Sequence, residues 1–234
     1  MWQAACGARH RREAIMTEIH TYAPRHDEPA RDAHRAAWEE RYQSRPAVWS
    51  GQPNQPLVDE IEHIAEPGRA LEVGCGEGAD AVWLAGQGWL VTAVDLSATA
   101  LERAAVLAAD AGVAQHITFT DAPVEDVIAG SEAFNLVTSL YTHPDAGGRW
   151  LVDTLASAVA PGGMLLVVAH HPTDPHAMEH PDLRTTAFDA AEVSDALDRD
   201  LWEVSATVRE RTTRMADGHE RLWRDSVLAA RRHG

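Results

Sequence analysis

Three carboxylates stand at or near the ends of apolar runs. Glu72 lies within Ala70-Leu71-Glu72-Val73, just ahead of Gly74-Cys75-Gly76-Glu77-Gly78, Asp95 closes Leu90 to Val94, and Asp121 closes His116 to Thr120. Glycines let a backbone turn sharply and approach a ligand closely. A carboxylate at the end of the following strand accepts hydrogen bonds from both hydroxyls of a ribose.

Gly74-x-Gly76-x-x-Ala79, with Asp95 21 residues after Gly74, also satisfies the dinucleotide pattern, which would make the chain a nicotinamide-dependent oxidoreductase. Three features favour another ligand. Glu72 occupies a strand position that a dinucleotide site usually leaves apolar, and it suits a ligand with an ammonium group. The turn is GxGxG, which brings Gly78 one residue early, and Asp121 stands ready to accept from an exocyclic amine. A ribose, an adenine amine and an amino-acid ammonium together describe S-adenosylmethionine.

A second set of groups follows the later apolar runs. Tyr141 and His143 come after Phe134 to Leu140, and His170 and His171 after Met164 to Ala169. A histidine with a pKa near 6.5 is a natural base at neutral pH, so His143 and His170, with Tyr141, are the candidate catalytic groups. The 13 histidines are widely scattered, and each is equally readable as a solvated loop residue. His170, His171, His176 and His180 invite a metal reading, but their spacing is irregular, Pro172, Pro175 and Pro181 interrupt them, and no i, i+4 pair falls on a clear helix pattern, so no metal site is assigned. Arg149, Arg184, Arg209, Arg211 and Arg214 would suit an anionic acceptor; Arg209 and Arg211, alternating with Glu210, also read as a solvated strand face.

These groups need a scaffold. Ala33, Ala37, Trp38, Arg41 and Tyr42 recur at helical spacing, and Trp49 to Asn54 is a turn-rich loop. Together with a helix marked by Leu57, Val58, Ile61 and Ile64, they form an N-terminal helical cap over 31–66, either docked on the core or closing over a ligand. From Arg69 to His171 strands and helices alternate: a helix after the glycine turn, a helix over Ala98 to Ala111, strands at His116–Asp121 and Phe134–Leu140, a helix over Arg149 to Ala160, a Pro161-Gly162-Gly163 turn and a strand at Met164–Ala169. Alternation with short links predicts a doubly wound α/β fold with right-handed crossovers, whose ligands sit at the carboxyl ends of the strands. Asp189 to Leu197 reads as a helix. Trp202–Thr213 and His219–Ala230 alternate around Ala216-Asp217-Gly218 and predict an antiparallel hairpin. The expectation is a Rossmann-like, seven-stranded, mostly parallel sheet in one domain over 31–234, preceded by a flexible arm at 1–30 that is too polar to offset its ordering entropy.

The composition narrows the partners. A formal charge of −16 over 234 residues, with no lysine at all, would repel phosphate backbones and anionic headgroups. Neither nucleic acid nor membrane is expected as a partner, and no apolar run reaches the roughly 20 residues of a membrane span. Two cysteines, Cys6 and Cys75, are too few for a disulfide framework, which suits a reducing, cytoplasmic setting. A small-molecule partner and a monomer or homodimer are expected.

Glu72-Val-Gly-Cys-Gly-Glu-Gly78, Trp83-Leu-Ala, Gly88-Trp-Leu-Val-Thr-Ala-Val-Asp95-Leu-Ser97, Phe134-Asn-Leu-Val137 and Ala160-Pro-Gly-Gly163 follow one another in order. This succession resembles the class I S-adenosylmethionine-dependent methyltransferases. Trp38-Glu-Glu-Arg-Tyr42 and the WLAGQGWLVTAVDLS phrase are similar to the tellurite-resistance and thiopurine group, which acts on small molecules. The resemblance implies that Gly74, Cys75, Gly76 and Gly78 pass under the methionine part, with Glu72 at its ammonium. It also implies Asp95 on the ribose, Leu96 on the adenine beside Ser97, Asp121 on the adenine amine and the Ala122 amide on a ring nitrogen. Trp49 and Leu140 complete the implied cofactor wall. Asn135 departs from the family, which often has Asp there. The implied reaction is in-line displacement onto a thiol, hydroxyl, amine or metalloid. A protein that keeps the fold and binds cofactor without turnover is the remaining alternative.

Overall fold

The computed structural model describes residues 28–234 apart from 63, 65, 145–146, 181–182, 184–185 and 215–219. Its contacts divide the chain into Met1–Asp32 and Ala33–Gly234. The expected arm at 1–30 lies almost wholly outside the described residues, as do the turn residues Ala216, Asp217 and Gly218.

The first helix, α1, runs Glu28–Gln43, and α2 runs Gln55–Ile61. Then come β1 (Arg69–Val73), α3 (Ala79–Gly86), β2 (Leu90–Val94), α4 (Ala98–Asp110), β3 (Ile117–Thr120), α5 (Val124–Ala129), β4 (Phe134–Leu140), α6 (Gly147–Ser157) and β5 (Val159–His170). The remainder is α7 (Pro175–Glu179), α8 (Ala190–Val193), β6 (Trp202–Arg214) and β7 (Glu220–Arg232). One seven-stranded sheet has the order β3-β2-β1-β4-β5-β7-β6. The first five strands are parallel, and β7 lies antiparallel between β5 and β6.

The strand order reverses at β1, which pairs with β2 on one side and β4 on the other. Loops leaving neighbouring strands there run apart and open a crevice at the carboxyl ends. Side chains alternate along β1. Leu71 and Val73 join a core with Phe134, Leu155 and Trp202, while Ala70 joins the opposite core with Leu57, Leu84 and Trp89. Glu72 shares a face with Ala70, and so an acid is carried into the layer beneath α2 and α3.

Three stretches differ in detail from their sequence patterns. β5 begins at Val159, before the expected Pro161-Gly162-Gly163 turn, because residues 160–163 form an irregularity in the ladder: Phe134 pairs with Val159, but Leu136 pairs with Met164. Two short helices, α5 and α7, were invisible because six and five residues are too few for a periodic pattern. The helix expected over Asp189–Leu197 is four α-helical residues capped by the Asp189 side chain, followed by a 3₁₀ turn. Leu155 is fully buried under the sheet. Leu155→Ala is expected to cost about 2–5 kcal/mol by chemical denaturation, and a change under 1 kcal/mol would mean that this face is less tightly packed than described.

Candidate active site

The turn after β1 is held by backbone bonds to the next strand. The amides of Gly74 and Cys75 both donate to the Val94 carbonyl, at 2.8 and 3.0 Å. Gly74 and Gly78 adopt φ of 78° and 83°, which favour glycine. Space reinforces the requirement. A Cβ on Gly74 would lie 2.4 Å from Thr142 Oγ1, and one on Gly78 2.6 Å from the Ala104 Cβ of α4.

Around this turn sit three carboxylates. Glu72 is 3% exposed, and its Oε2 is buried with no hydrogen-bond partner. Burial first, then the charges of Asp80 and Asp95, push its carboxyl well above the ordinary range. Burial also raises Asp80, although the Asn54 amide and side chain donate to it at 2.7 Å each. Asp95 is raised by burial against hydrogen bonds from Ser97, Gly76 and Leu96. Its Oδ2 accepts from the Gly76 amide at 2.8 Å and its Oδ1 from the Ser97 amide at 2.9 Å. A carboxylate has about four acceptor sites, so these bonds aim Asp95 and leave capacity for a diol.

The cap is tied to the same turn. On α1, Glu39 accepts from Ser97 Oγ at 2.6 Å and Thr99 Oγ1 at 2.5 Å, and these bonds pull its carboxyl down to about 2. Arg35 donates to the Leu96 carbonyl and to Asp121, its carboxylate at 3.1 Å and its carbonyl at 3.0 Å. Glu77, inside the turn, accepts from the amides of Val48 and Trp49 and pairs with Arg103 of α4 at 2.8 Å. Arg103 donates on to the carbonyls of Tyr42 and Arg45. Trp49 Nε1 donates to the Tyr42 hydroxyl at 2.9 Å, and that hydroxyl would lie 2.8 Å from a Cβ on Gly76. The cap is therefore both docked and set over the turn.

A different cluster lies past β4 and β5. Tyr141 has φ 54°, the one positive value among described non-glycine residues, fixed by its amide bond to Val168 O at 2.7 Å. Its ring centroid is 5.1 Å from that of His170, which stacks on Trp223 of β7 at 5.5 Å. The Arg211 guanidinium of β6 lies 4.9 Å from the Trp223 ring and 5.8 Å from the Tyr141 ring. Its Nε donates to Asp225 Oδ2 at 2.6 Å. Asp225 is 1% exposed; its Oδ1 and His170 Nδ1 are buried without hydrogen-bond partners and stand 3.8 Å apart. Burial lowers His170 below its ordinary value, and Arg211 adds to this, while Asp225 and Asp174 oppose it.

The structure thus gathers Glu72, Gly74, Cys75, Gly76, Gly78, Asp95, Leu96, Ser97 and Trp49 at one turn. Leu140 is buried in the core behind it, among Cys75 and Leu166. Asp121 is engaged by Arg35, and the Ala122 amide donates to Thr120 Oγ1 at 3.1 Å, so the two groups expected to meet an adenine already have partners within the chain. The catalytic candidates separate: Tyr141 and His170 are together, whereas His143 lies against Trp38 of the cap, ring centroids 5.2 Å apart. Among the described residues no group of three or more His, Cys, Asp or Glu is arranged to hold a metal. Sequence reasoning missed Arg35, Glu39, Arg103 and Asp225 and gave Glu77 no role of its own; alternation showed only that Arg211 shares a face with Arg209.

The donor set fits S-adenosylmethionine on its own chemistry. An unpartnered buried carboxylate beside two others calls for a cation, and the cofactor carries an ammonium and a sulfonium. Because Glu72, Asp80 and Asp95 hold protons more tightly folded than unfolded, cofactor-free protein loses stability as pH rises above the ordinary carboxylate range. Glu72→Gln removes one share of that loss. Calorimetry across pH is expected to show a shallower decline for E72Q together with at least about tenfold weaker binding of S-adenosylhomocysteine; parallel curves for the two proteins would contradict the assignment.

Residues 70–163 match the family model described as a methyltransferase domain. The 2-heptyl-1-hydroxyquinolin-4(1H)-one methyltransferase of Mycobacteroides abscessus is 29% identical over 155 residues, which is 62% of this chain and 68% of that protein. The ribosomal RNA small subunit methyltransferase C of Alcanivorax borkumensis is 30% identical over 116 residues, 47% of this chain and 35% of that protein. Two solved structures share the fold. One, from work on conversion of a disulfide bond into a thioacetal group during echinomycin biosynthesis, has a TM-score of 0.69 and 22% identity, covering 86% of this chain and 92% of that one. The other, a SAM-dependent methyltransferase from Geobacter sulfurreducens in complex with S-adenosyl-L-homocysteine, has a TM-score of 0.53 and 20% identity, covering 72% of each chain. With its ordered motifs, its switch-point glycine turn and its buried acid at β1, this chain carries a methyltransferase domain over residues 70–163 and has the fold of S-adenosylmethionine-dependent methyltransferases.

Proposed function

We propose that the chain methylates a small-molecule nucleophile by in-line displacement, with His170 as general base. The observation that carries this reading is the step from Thr142 to Tyr141. Thr142 packs against Gly74 of the cofactor turn and donates to Val73 O at 3.0 Å, and the next residue back, Tyr141, packs on His170. A base and an aromatic wall thereby adjoin the methionine end of the cofactor site.

Glu72, the glycine turn and Asp95 would hold the cofactor, with Ser97, Leu96, Cys75, Trp49, Leu140, Asp121 and the Ala122 amide as further contacts. The cofactor supplies an activated methyl group, so the protein's task is to orient the acceptor, exclude water and take its proton. His170, neutral because it is buried, is in the form that accepts a proton, and Asp225 would stabilise the resulting imidazolium. His143, packed against Trp38 of the cap, would line the entrance instead.

The acidic balance supports a small acceptor over nucleic acid or membrane, and no helix among the described residues is long and apolar enough to cross a membrane. The quinolone methyltransferase relative also supports a small, ring-bearing acceptor. We further read the protein as cytoplasmic, a monomer or homodimer, with 31–234 as one domain. The test offers S-adenosylmethionine with phenols, N-hydroxy heterocycles, thiols, amines, metalloid oxyanions and a structured RNA. Methylation of a small molecule is expected, with kcat/KM falling about 10²–10⁴-fold in His170→Gln and its basic limb lost from the pH profile. Methylation of the RNA alone, or an H170Q profile matching wild type, would overturn the reading.

A further inference from the structure

Arg41, on α1, stands apart from the paired arginines of the cap. Arg35 holds Asp121 and Arg103 holds Glu77, whereas among the described residues no carboxylate, carbonyl or hydroxyl meets the Arg41 guanidinium. What meets it is aromatic: its central carbon lies 5.2 Å from the Trp38 ring centroid and 5.6 Å from that of Trp49. Both rings are themselves pinned. Trp38 Nε1 donates to His34 Nε2 at 2.8 Å, Trp49 Nε1 to the Tyr42 hydroxyl at 2.9 Å, and the Trp49 amide to Glu77 at 3.0 Å. With the indole N–H groups spent inside the chain, the ring faces are what remains to offer.

This shelf is open to solvent and borders the glycine turn. Trp49 is 46% exposed and Arg41 is exposed, while Trp38 and His143 are half-buried. Trp49 Nε1 would lie 3.1 Å from a Cβ on Gly76. On the other side Trp38 packs on His143, and the residue before it, Thr142, packs on Gly74. A guanidinium that stacks by its face keeps its N–H edge for the fork of a carboxylate, and rings that already hold it lower the entropy lost when an anion arrives. Exposed Trp and Arg side by side are also the residues that dominate binding surfaces.

We propose, building on the methyltransferase reading above, that Trp38, Arg41 and Trp49 recognise an acceptor that is a planar aromatic monocarboxylate. Its ring lies on Trp49, its carboxylate takes the N–H edge of Arg41, and its nucleophilic atom is directed toward the glycine turn. Charge selects this class. The turn is lined by Glu72, Asp80 and Asp95, so an anionic group is favoured at the rim beside Arg41 and disfavoured further in. One guanidinium offsets one charge, which suits a carboxylate better than a phosphate dianion. A cationic ring is repelled by Arg41, and a neutral ring leaves the guanidinium edge unused. The methyl donor carries a carboxylate too, and the assay reads the two sources separately.

The probe is 2-naphthoate, with 2-naphthamide as its uncharged counterpart, titrated by calorimetry into the full-length protein saturated with S-adenosylhomocysteine; S-adenosylhomocysteine binding to the protein alone is the second arm. Wild type is expected to bind the carboxylate at least about tenfold more tightly than the amide. Arg41→Met, whose side chain still packs on the two rings, should erase that preference while the affinities for amide and S-adenosylhomocysteine hold. Arg41→Lys, which keeps the charge without the fork, should restore only part of it. Equal binding of the two probes by wild type, or a preference untouched by R41M, overturns the proposal. An R41M protein that binds S-adenosylhomocysteine about tenfold more weakly also overturns it, by assigning Arg41 to the donor's carboxylate. Failure of wild type to bind S-adenosylhomocysteine overturns the reading beneath it.

Discussion

A carboxylate cannot be drawn out of water without compensation, yet Glu72 is buried in the first strand of the sheet with one oxygen unpartnered. The charges acting on it are those of Asp80 and Asp95, both of its own sign. The fold accepts this cost at the one place where strand order reverses and a crevice opens. The glycines of the turn exist to bring backbone and carboxylates close together there. Electrostatic tension at an otherwise apolar switch point is thus the property around which the turn and its neighbouring carboxylates are organised.

The cap responds to the same constraint from above. Glu39 caps the start of α4 through Ser97 and Thr99, and Glu77 reaches out of the turn to hold the backbone at Val48 and Trp49. These are acids placed where N–H and O–H groups satisfy them, in contrast to Glu72. Arg35 and Arg103 carry compensating charge to Asp121 and Glu77. The α1–loop segment is consequently wired into the loops after β1, β2 and β3, which are the loops that would surround an adenosine.

Much of this was legible in the chain because it is local. The β1–turn–α3–β2 unit is contiguous, so Glu72, the glycines and Asp95 follow from period and spacing. Apolar runs broken by Gly and Pro gave the strand count and the antiparallel tail. What escaped were partnerships across distance. Glu39 finds Ser97 and Arg35 finds Asp121 over 58 and 86 residues, and helical periodicity says only which residues share a side. Arg211 and Asp225 lie in adjacent antiparallel strands, where register decides whether they meet; alternation predicts the face and leaves the partner open. His143 and His170 looked alike because both were read as following strands, and only the fold separates the one packed against Trp38 of the cap from the one stacked on Trp223 of β7.

The position of β7 between β5 and β6 has a consequence for the order in which the sheet is completed. The switch-point turn and the carboxylates Glu72, Asp80 and Asp95 all precede His170 and lie within the region that matches the methyltransferase family model. Trp223 and Asp225, which face His170 beside Tyr141, and Arg211, which pairs with Asp225, come from the last two strands. During synthesis the apolar edge of β5 therefore emerges before the strand that covers it, and an open apolar edge is a template for unwanted pairing. The Arg211, Trp223 and Asp225 side chains around His170 and the protection of that edge come from the same late hairpin. The hairpin is free to vary those side chains only so far as it still zips onto Met164 to His170.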